Sequence, residues 1–254
     1  MKYASKSIAS KWRKTGWMLG DSSLRPFVPE TRLFGRASLE AMLSRYAVVY
    51  FKPSRGTGGK KISRIERIKA GSYRLKGTGG NRSGLSADEL YARLKSLAGG
   101  KQYLLQRGID LAHTGGKPFD LRVMVQKDGS QWVTTALFAK IGKKGRVVTN
   151  YHSGGKVAGF KKTMKGAGYS ESSAGEAQRK LGQIGEATGQ CFDRHRDGFR
   201  EIGLDVAVDK AGRYWVLEAN TRPQYYPLKS VDRSAYRRII DYAKKYGRVK
   251  GRRK

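Results

Sequence analysis

The chain has 254 residues, 38% of them hydrophobic and 10% aromatic, enough to bury a sizeable core as one large domain or as two closely packed lobes. Lys and Arg number 53 against 20 Asp and Glu, a formal net charge of +33 that draws polyanions such as nucleotides, nucleic acid or anionic polymers. A lone cysteine, Cys191, excludes an internal disulfide and a cysteine metal cluster and fits a reducing, cytoplasmic interior, while the scattered His113, His152 and His195 argue against a histidine-rich metal centre.

Residues 1–20 read as a basic amphipathic helix with Ile8, Trp12 and Leu19 on its apolar side, lacking the continuous apolar segment of a signal peptide. DSSLRPFVPE, broken by Pro26 and Pro29, makes 1–37 a lead-in segment. SLEAMLSRY (38–46) predicts a short helix with Leu39, Met42 and Leu43 inward, feeding the buried strand AVVYFK (47–52). The run AVVYF is among the longest apolar stretches, far short of a membrane span. KISRIERI (61–68) and SYRLKG (72–77) suggest a hairpin. SADELYARLKSLAGG (86–100) has Ser86 and Glu89 in capping-box spacing, buries Leu90, Leu94 and Leu97, and stops at Gly99 and Gly100. Strands follow at YLLQ (103–106), DLRVMVQ (120–126) and QWVTTALFAKI (131–141), the last two joined through Asp128 and Gly129. A glycine-broken loop is expected over 142–168, then a helix over about 172–196 with Ala177, Leu181, Ile184, Cys191 and Phe192 on one stripe. Gly182, Gly185 and Gly189 would let that helix lie close to a sheet. Two adjacent strands over 203–220, a helix over about 231–245 with Ile239, Ile240 and Ala243 inward, and a basic tail over 248–254 complete an α+β chain.

The stretch GLDVAVDKAGRYWVLEAN (203–220) carries the clearest chemistry. Residues two apart on a strand share a face, so Glu218 and Asn220 point the same way, and a partner strand can set Asp205 opposite them. Magnesium takes one or two carboxylates and fills its octahedron with water and phosphate oxygens, so this trio suits a metal shared with a nucleotide. FKPSRGTGGKK (51–61) places Lys52 at the end of a buried strand, before a loop whose Gly56, Gly58 and Gly59 let backbone N–H groups close on an anion. It is not a Walker-type P-loop, because no Ser or Thr follows a GK pair at the required spacing. Asp120 and Arg122 share a strand face, and Arg122 can hold a carboxylate or a phosphoryl group through its planar fork. Lys140 ends the next strand, and VVTN (147–150) brings Asn150 to the edge of YHSGGK (151–156), where His152 reads as a loop residue.

In their order, LRPFVPETRLF (24–34), VVYFKPSRGTGGKKI (48–62), YLLQRGIDL (103–111), PFDLRVMVQ (118–126), VVTNYHSGG (147–155), IGLDVAVD and WVLEANTRP resemble the signature blocks of the YheC/YheD-type endospore coat-associated proteins of the ATP-grasp superfamily. The resemblance implies an ATP-grasp fold in two α+β lobes, a smaller one over 38–100 and a larger one over 101–247, with ATP bound between antiparallel sheets. It implies Lys52 as the phosphate-binding lysine, Lys11 as a weaker second one, and Ser54 to Gly59 as a cover over the phosphates. Gln106, Arg107, Gly108 and Ile109 are similar to the hinge that meets adenine, with Asp110 or Asp120 as a ribose partner. Asp205, Glu218 and Asn220 fall on the family's magnesium ligands, two ions being expected and Mn²⁺ an alternative. Arg122 and Asn150 match positions that contact phosphate or the acyl-phosphate intermediate, and Lys140 is a further catalytic candidate.

The implied activity is a Mg²⁺-dependent ligase joining an unidentified carboxylate to an amine or similar nucleophile, in the cytoplasm or at the spore coat. Many relatives carry arginine where Lys140 stands, several have a basic residue where Gly203 stands, and most superfamily members carry a leading domain ahead of the core. The alternative reading is a polyanion-binding protein, for nucleic acid or an anionic polymer, on a catalytically weak ATP-grasp scaffold, motivated by the charge and the basic tail.

Overall fold

The computed structural model describes residues 3–56, 58–59, 61–142 and 155–249. After an extended lead-in comes α1 (Lys11–Gly20), a 3-10 turn at Arg25–Phe27, β1 (Thr31–Leu33), α2 (Arg36–Arg45), β2 (Val48–Pro53), β3 (Ser63–Lys69), β4 (Ser72–Gly77), β5 (Gly80–Leu85), α3 (Ala87–Ala98) and β6 (Tyr103–Arg107). These strands form one antiparallel sheet in the order β1-β6-β2-β3-β4-β5. Helices α2 and α3 cover one face, where Leu39, Met42, Leu90 and Leu94 pack on Val49, Phe51, Ile65, Leu75 and Leu105. The Ser86 hydroxyl accepts from Glu89 N while the Glu89 carboxylate accepts from Ser86 N, the reciprocal cap the spacing predicts. Because side chains alternate along β2, burying Val49 and Phe51 in this core turns Lys52 to the opposite face.

The second half contains β7 (His113–Thr114), β8 (Lys117–Asp128), β9 (Gln131–Ile141), β10 (Lys156–Gly159), α4 (Phe160–Gly166), α5 (Glu171–His195), β11 (Glu201–Val208), β12 (Tyr214–Asn220), a 3-10 turn at Tyr226–Ser230 and α6 (Arg233–Lys245). The sheet runs β10-β9-β8-β11-β12, with β7 paired to β8. It is covered on both faces. Val123 and Val125 pack with Leu181, Ile184 and Phe192 of α5, while Met124 packs with Tyr225, Leu228 and Ile239 on the α6 side. Double coverage buries β8 without a break from Phe119 to Gln126. Among the described residues, no helix is long and apolar enough to cross a membrane.

Several expectations change. The first helix begins at Lys11, not near the start of the chain: Ser10 Oγ caps it by accepting from Arg13 N, and Ala4 N and Lys6 N are already committed to Tyr246 O and Gly198 O in extended backbone. Its buried face is Lys11, Lys14, Thr15 and Met18, with Ile8 outside the helix and Trp12 and Leu19 only half-buried. Within the loop expected over 142–168, residues 156–166 form β10 and α4, because Lys156–Gly159 pair with the edge of β9; residues 143–154 lie outside the described residues. Strand β6 hydrogen-bonds between β1 and β2, so the first sheet includes Thr31–Leu33 and Tyr103–Arg107. Arg248, expected in the basic tail over 248–254, is held against the fully buried Glu201, which also accepts from Tyr3 Oη (2.6 Å) and Tyr246 Oη (3.0 Å); residues 250–254 lie outside the described residues.

The glycines of α5 set how closely it approaches the sheet. A Cβ at Gly185 would stand 2.7 Å from Val125 Cγ1, and one at Gly189 would stand 2.3 Å from the Trp132 ring. Gly189→Ala is therefore expected to destabilise the protein by about 1–3 kcal/mol through overpacking. Gly175, whose Cβ would meet only the Arg179 guanidinium at 3.9 Å, should gain stability on substitution by alanine, roughly 0.5–1 kcal/mol from helix propensity. Urea unfolding of the two variants checks this; equal effects of one sign would contradict the packing.

Candidate functional site

The two sheets meet where β2 and β6 approach β12. The Lys52 ammonium donates to Gln106 Oε1 (2.8 Å) and to the Leu217 carbonyl of β12 (3.2 Å). Gln106 Nε2 donates to Thr31 Oγ1 (3.1 Å) and to the same Leu217 carbonyl (3.4 Å), so one backbone oxygen links both strands of the first sheet to the second. Helix α1 closes the adjoining side. Lys11 N donates to Ser54 O (2.7 Å), and its ammonium donates to Gly56 O (2.6 Å) and pairs with Glu218 (3.4 Å). Lys14, three residues on and so on the same helical face, is also buried.

Burial holds the Lys52 and Lys14 ammonium groups well below the ordinary lysine value of 10.5, each down to about 8, with Glu218 the main group opposing the shift. Neither effect removes the charge at neutral pH. The cleft therefore gathers lysine ammonium groups in a dry setting where the nearby carboxylates compensate only in part, an arrangement that favours an anionic ligand. The loop at its mouth begins at buried Ser54, whose N–H donates to Gln102 O (2.9 Å). Gly56, Gly58 and Gly59 hold φ of 130°, 72° and 70°, the left-handed region that glycine enters freely. Thr57 and Lys60 lie outside the described residues.

Strand register brings the three oxygen-bearing side chains together. Asp205 lies directly across from Glu218, and Asn220, two residues further along β12, lies opposite Gly203. A bulge follows Asp205. On its other side Asp205 faces Arg122 of β8, whose Nε donates to Asp205 Oδ1 at 2.7 Å, and Lys140 of β9 stands 3.0 Å from that same oxygen and 2.9 Å from Asp120 Oδ1. Burial resists ionisation of Asp205, but Arg122 and Lys140 outweigh it and hold the carboxyl down at about 2. For Asp120 burial wins, pushing it up to about 6 even beside Lys140. Gly203 leaves room for this network: a Cβ there would lie 2.6 Å from Pro223 Cβ and 3.2 Å from the Arg122 side chain. A larger residue at 203 does not fit the conformation Arg122 adopts.

The remaining expected positions are spread along the same rim. The Arg107 guanidinium lies 5.2 Å from the Tyr46 ring centre and 4.8 Å from that of Trp215, and Gly108 N donates to Val48 O (2.8 Å). A Cβ at Gly108 would stand 2.5 Å from Val48 Cγ1. Ile109 is half-buried, and Asp110 is exposed and pairs with Lys210 (2.9 Å), whereas Asp120 is buried within the second sheet. Asn150 and His152 lie outside the described residues. Two contributors escaped sequence reasoning: Lys14, signalled only by its spacing from Lys11, and the Leu217 carbonyl, which as a backbone group leaves no mark in the sequence.

The fit of this site to Mg²⁺ rests on its donors. Asp205, Glu218 and Asn220 offer hard oxygens only, as magnesium prefers, and among the described residues no cluster of three or more His, Cys, Asp or Glu forms a metal cage. Such a site would depend on phosphate oxygens and water to complete an ion's shell.

Two α+β halves closing on a cleft of this kind constitute the ATP-grasp fold. Solved structures share it: D-cycloserine synthetase DcsG superposes with a TM-score of 0.58 at 16% identity, over 94% of this chain and 70% of that one. The N5-carboxyaminoimidazole synthase of Aspergillus clavatus, in complex with ADP, superposes with a TM-score of 0.52 at 13% identity, over 87% and 46%. The chain belongs to the YheC/D-like ATP-grasp family, whose profile matches residues 1–246. The endospore coat-associated protein YheD of Bacillus subtilis (strain 168) is 29% identical over 252 residues, 94% of this chain and 54% of that protein, so the chain spans about half the length of this relative.

The buried lysine gives a signed pH test. Lys52 binds its proton less tightly in the folded state (about 8) than in the ordinary lysine range (10.5), so between those values the unfolded chain carries more protons and stability rises with pH. Relative to Lys52→Met, which cannot titrate, the wild-type protein should gain stability as pH rises from about 7 to about 9.5. Urea unfolding at the two pH values measures it, and a difference independent of pH would contradict the burial of the charged group.

Proposed function

We propose that the chain is a Mg²⁺-dependent ATP-binding ligase that activates a carboxylate as an acyl phosphate and passes it to an amine or similar nucleophile. The observation that carries the reading is the opposition, across one dry cleft, of the Lys52, Lys11 and Lys14 ammonium groups and the Asp205–Glu218 cross-strand pair. Lysines there neutralise phosphate oxygens, and paired carboxylates with an amide are the donor set for an ion shared with a triphosphate. The family match and the fold neighbours named as a synthetase and a synthase are consistent with it.

In this reading Lys52 leaves the Leu217 carbonyl for a phosphate oxygen, and Lys11, already on the glycine loop through Gly56 O, draws that loop over the phosphates. Bound at Asp205, Glu218 and Asn220, Mg²⁺ would supply neutralisation of the phosphate charge. The substrate carboxylate oxygen bonds to the γ-phosphorus as the bond to the β-phosphate oxygen breaks, releasing ADP. The nucleophile then bonds to the acyl carbon, phosphate departs with the electron pair, and the nucleophile's proton passes to solvent. Arg122 and Lys140, held in register by Asp205 and Asp120, are the cations placed to stabilise negative charge building on the transferring group. Catalysis is thus charge placement, with little covalent work for the protein. Adenine is assigned to the Gln106–Ile109 segment, with Asp110 or Asp120 for the ribose, and Asn150 to the acyl-phosphate end. A connection to the endospore coat belongs to the same proposal and rests on the name of the relative.

Glu218→Gln removes one ligand charge yet leaves the Leu217 carbonyl and the strand pairing in place. It is expected to abolish Mg²⁺-dependent ADP release while preserving the far-ultraviolet circular dichroism of the wild type; wild-type turnover in this variant would refute the assignment.

A further inference from the structure

Beside the cleft, sharing the glycine loop with it, lies an open cavity of ≈ 410 Å³ whose wall includes Arg13 of α1, Arg55 at the start of the glycine loop and Arg196 at the end of α5. Lys11 and Lys14 turn into the cleft, whereas the residues between them, Trp12 and Arg13, line this cavity together with Ile8. All three arginines are exposed, and among the described residues none makes an ion pair with a carboxylate. Elsewhere the chain pairs many of its arginines: Arg36, Arg122, Arg213 and Arg248 each have an acidic partner. Three arginines from separate parts of the chain thus line one hollow with no acidic residue among its lining, a concentration of positive charge that favours an anionic ligand.

We propose that this cavity is a recognition site for a short acidic peptide segment, a chain bearing several carboxylates on an apolar stem. The size argues against a single small anion, since a water occupies only about 30 Å³ of liquid and the hollow holds many times that. The three arginines come from α1, from the glycine loop and from the end of α5, which suits a ligand carrying more than one anionic group. Planar guanidinium forks grip carboxylates bidentately, and the half-buried Trp12 with the buried Ile8 gives the stem an apolar wall. Arg55 ties the site to the glycine loop, because its neighbours Ser54 and Gly56 both accept hydrogen bonds from Lys11. The proposal stands without the ligase reading, since it needs only the anionic character of the ligand and, apart from Arg55 of the glycine loop, no residue assigned to nucleotide or metal lines the cavity.

The test is binding of fluorescein-labelled tetraglutamate, followed by anisotropy without nucleotide. The double variant Arg13→Gln, Arg196→Gln is compared with Arg93→Gln, Lys95→Gln on α3; each loses two exposed positive charges, so the overall field falls equally. The cavity pair should weaken binding at least about tenfold and the α3 pair by less than about twofold, tenfold being some 1.4 kcal/mol and within the range for losing charged hydrogen bonds. Trp12→Phe should retain the fold and remove the quenching of tryptophan fluorescence that peptide binding produces. Equal weakening by both pairs would reduce the site to the general positive field and overturn it, as would no weakening by either. Tighter cavity-dependent binding of a single-stranded oligothymidine than of tetraglutamate would overturn the ligand class.

Discussion

A buried ammonium group governs the relation between the halves of this protein. Lys52 stands between Gln106 of the first sheet and the Leu217 carbonyl of the second, in surroundings dry enough to depress its affinity for a proton. Burying such a charge is costly, and its hydrogen-bond partners are two neutral oxygens, with Glu218, paired to Lys11, acting as the nearby opposing charge. The contact holds the sheets together while leaving the ammonium short of full compensation, the condition in which an incoming phosphate oxygen has most to offer.

The second sheet answers this cationic side with an ordered row of charges. From β9 through β8 to β11 and β12 the sequence of side chains is Lys140, then Asp120 and Arg122, then Asp205, then Glu218. Each neighbour is fixed by antiparallel register, so the placement of these charges, with the two carboxylates Asp205 and Glu218 left facing each other at its end, is a property of the sheet and not of flexible side chains finding one another. Coverage by α5 and α6 makes that register rigid, and glycines at 185, 189 and 203 admit the close approaches it needs. Charges held in advance require little rearrangement when a reacting group arrives.

Much of this was readable from the chain. The capping box at Ser86 and Glu89, the β3–β4 hairpin and the facing of Asp205 with Glu218 follow from local spacing and strand periodicity, and local rules suffice for them. Strand β5 was invisible: Gly80, Asn81, Arg82, Ser83 and Gly84 have poor strand propensity and are exposed, and pairing with β4 alone makes them a strand. The helix α1 misleads a hydrophobic reading because its buried face is mostly lysine and threonine, turned toward a charged cleft instead of an apolar core. The Asp120–Lys140–Asp205–Arg122 network depends on β9, β8 and β11 lying side by side, and strand order is a long-range outcome that periodicity does not specify.

The central claim, that this cleft exchanges its internal Lys52 contacts for those of a metal-bound nucleotide, is tested most directly by a crystal structure with a non-hydrolysable ATP analogue and Mg²⁺. The account predicts the Lys52 ammonium on a phosphate oxygen and no longer on Leu217 O, with Asp205, Glu218 and Asn220 supplying oxygens to the ions. A nucleotide bound elsewhere, or one bound here with Lys52 still on Leu217 and those three side chains turned away from the ions, would contradict it.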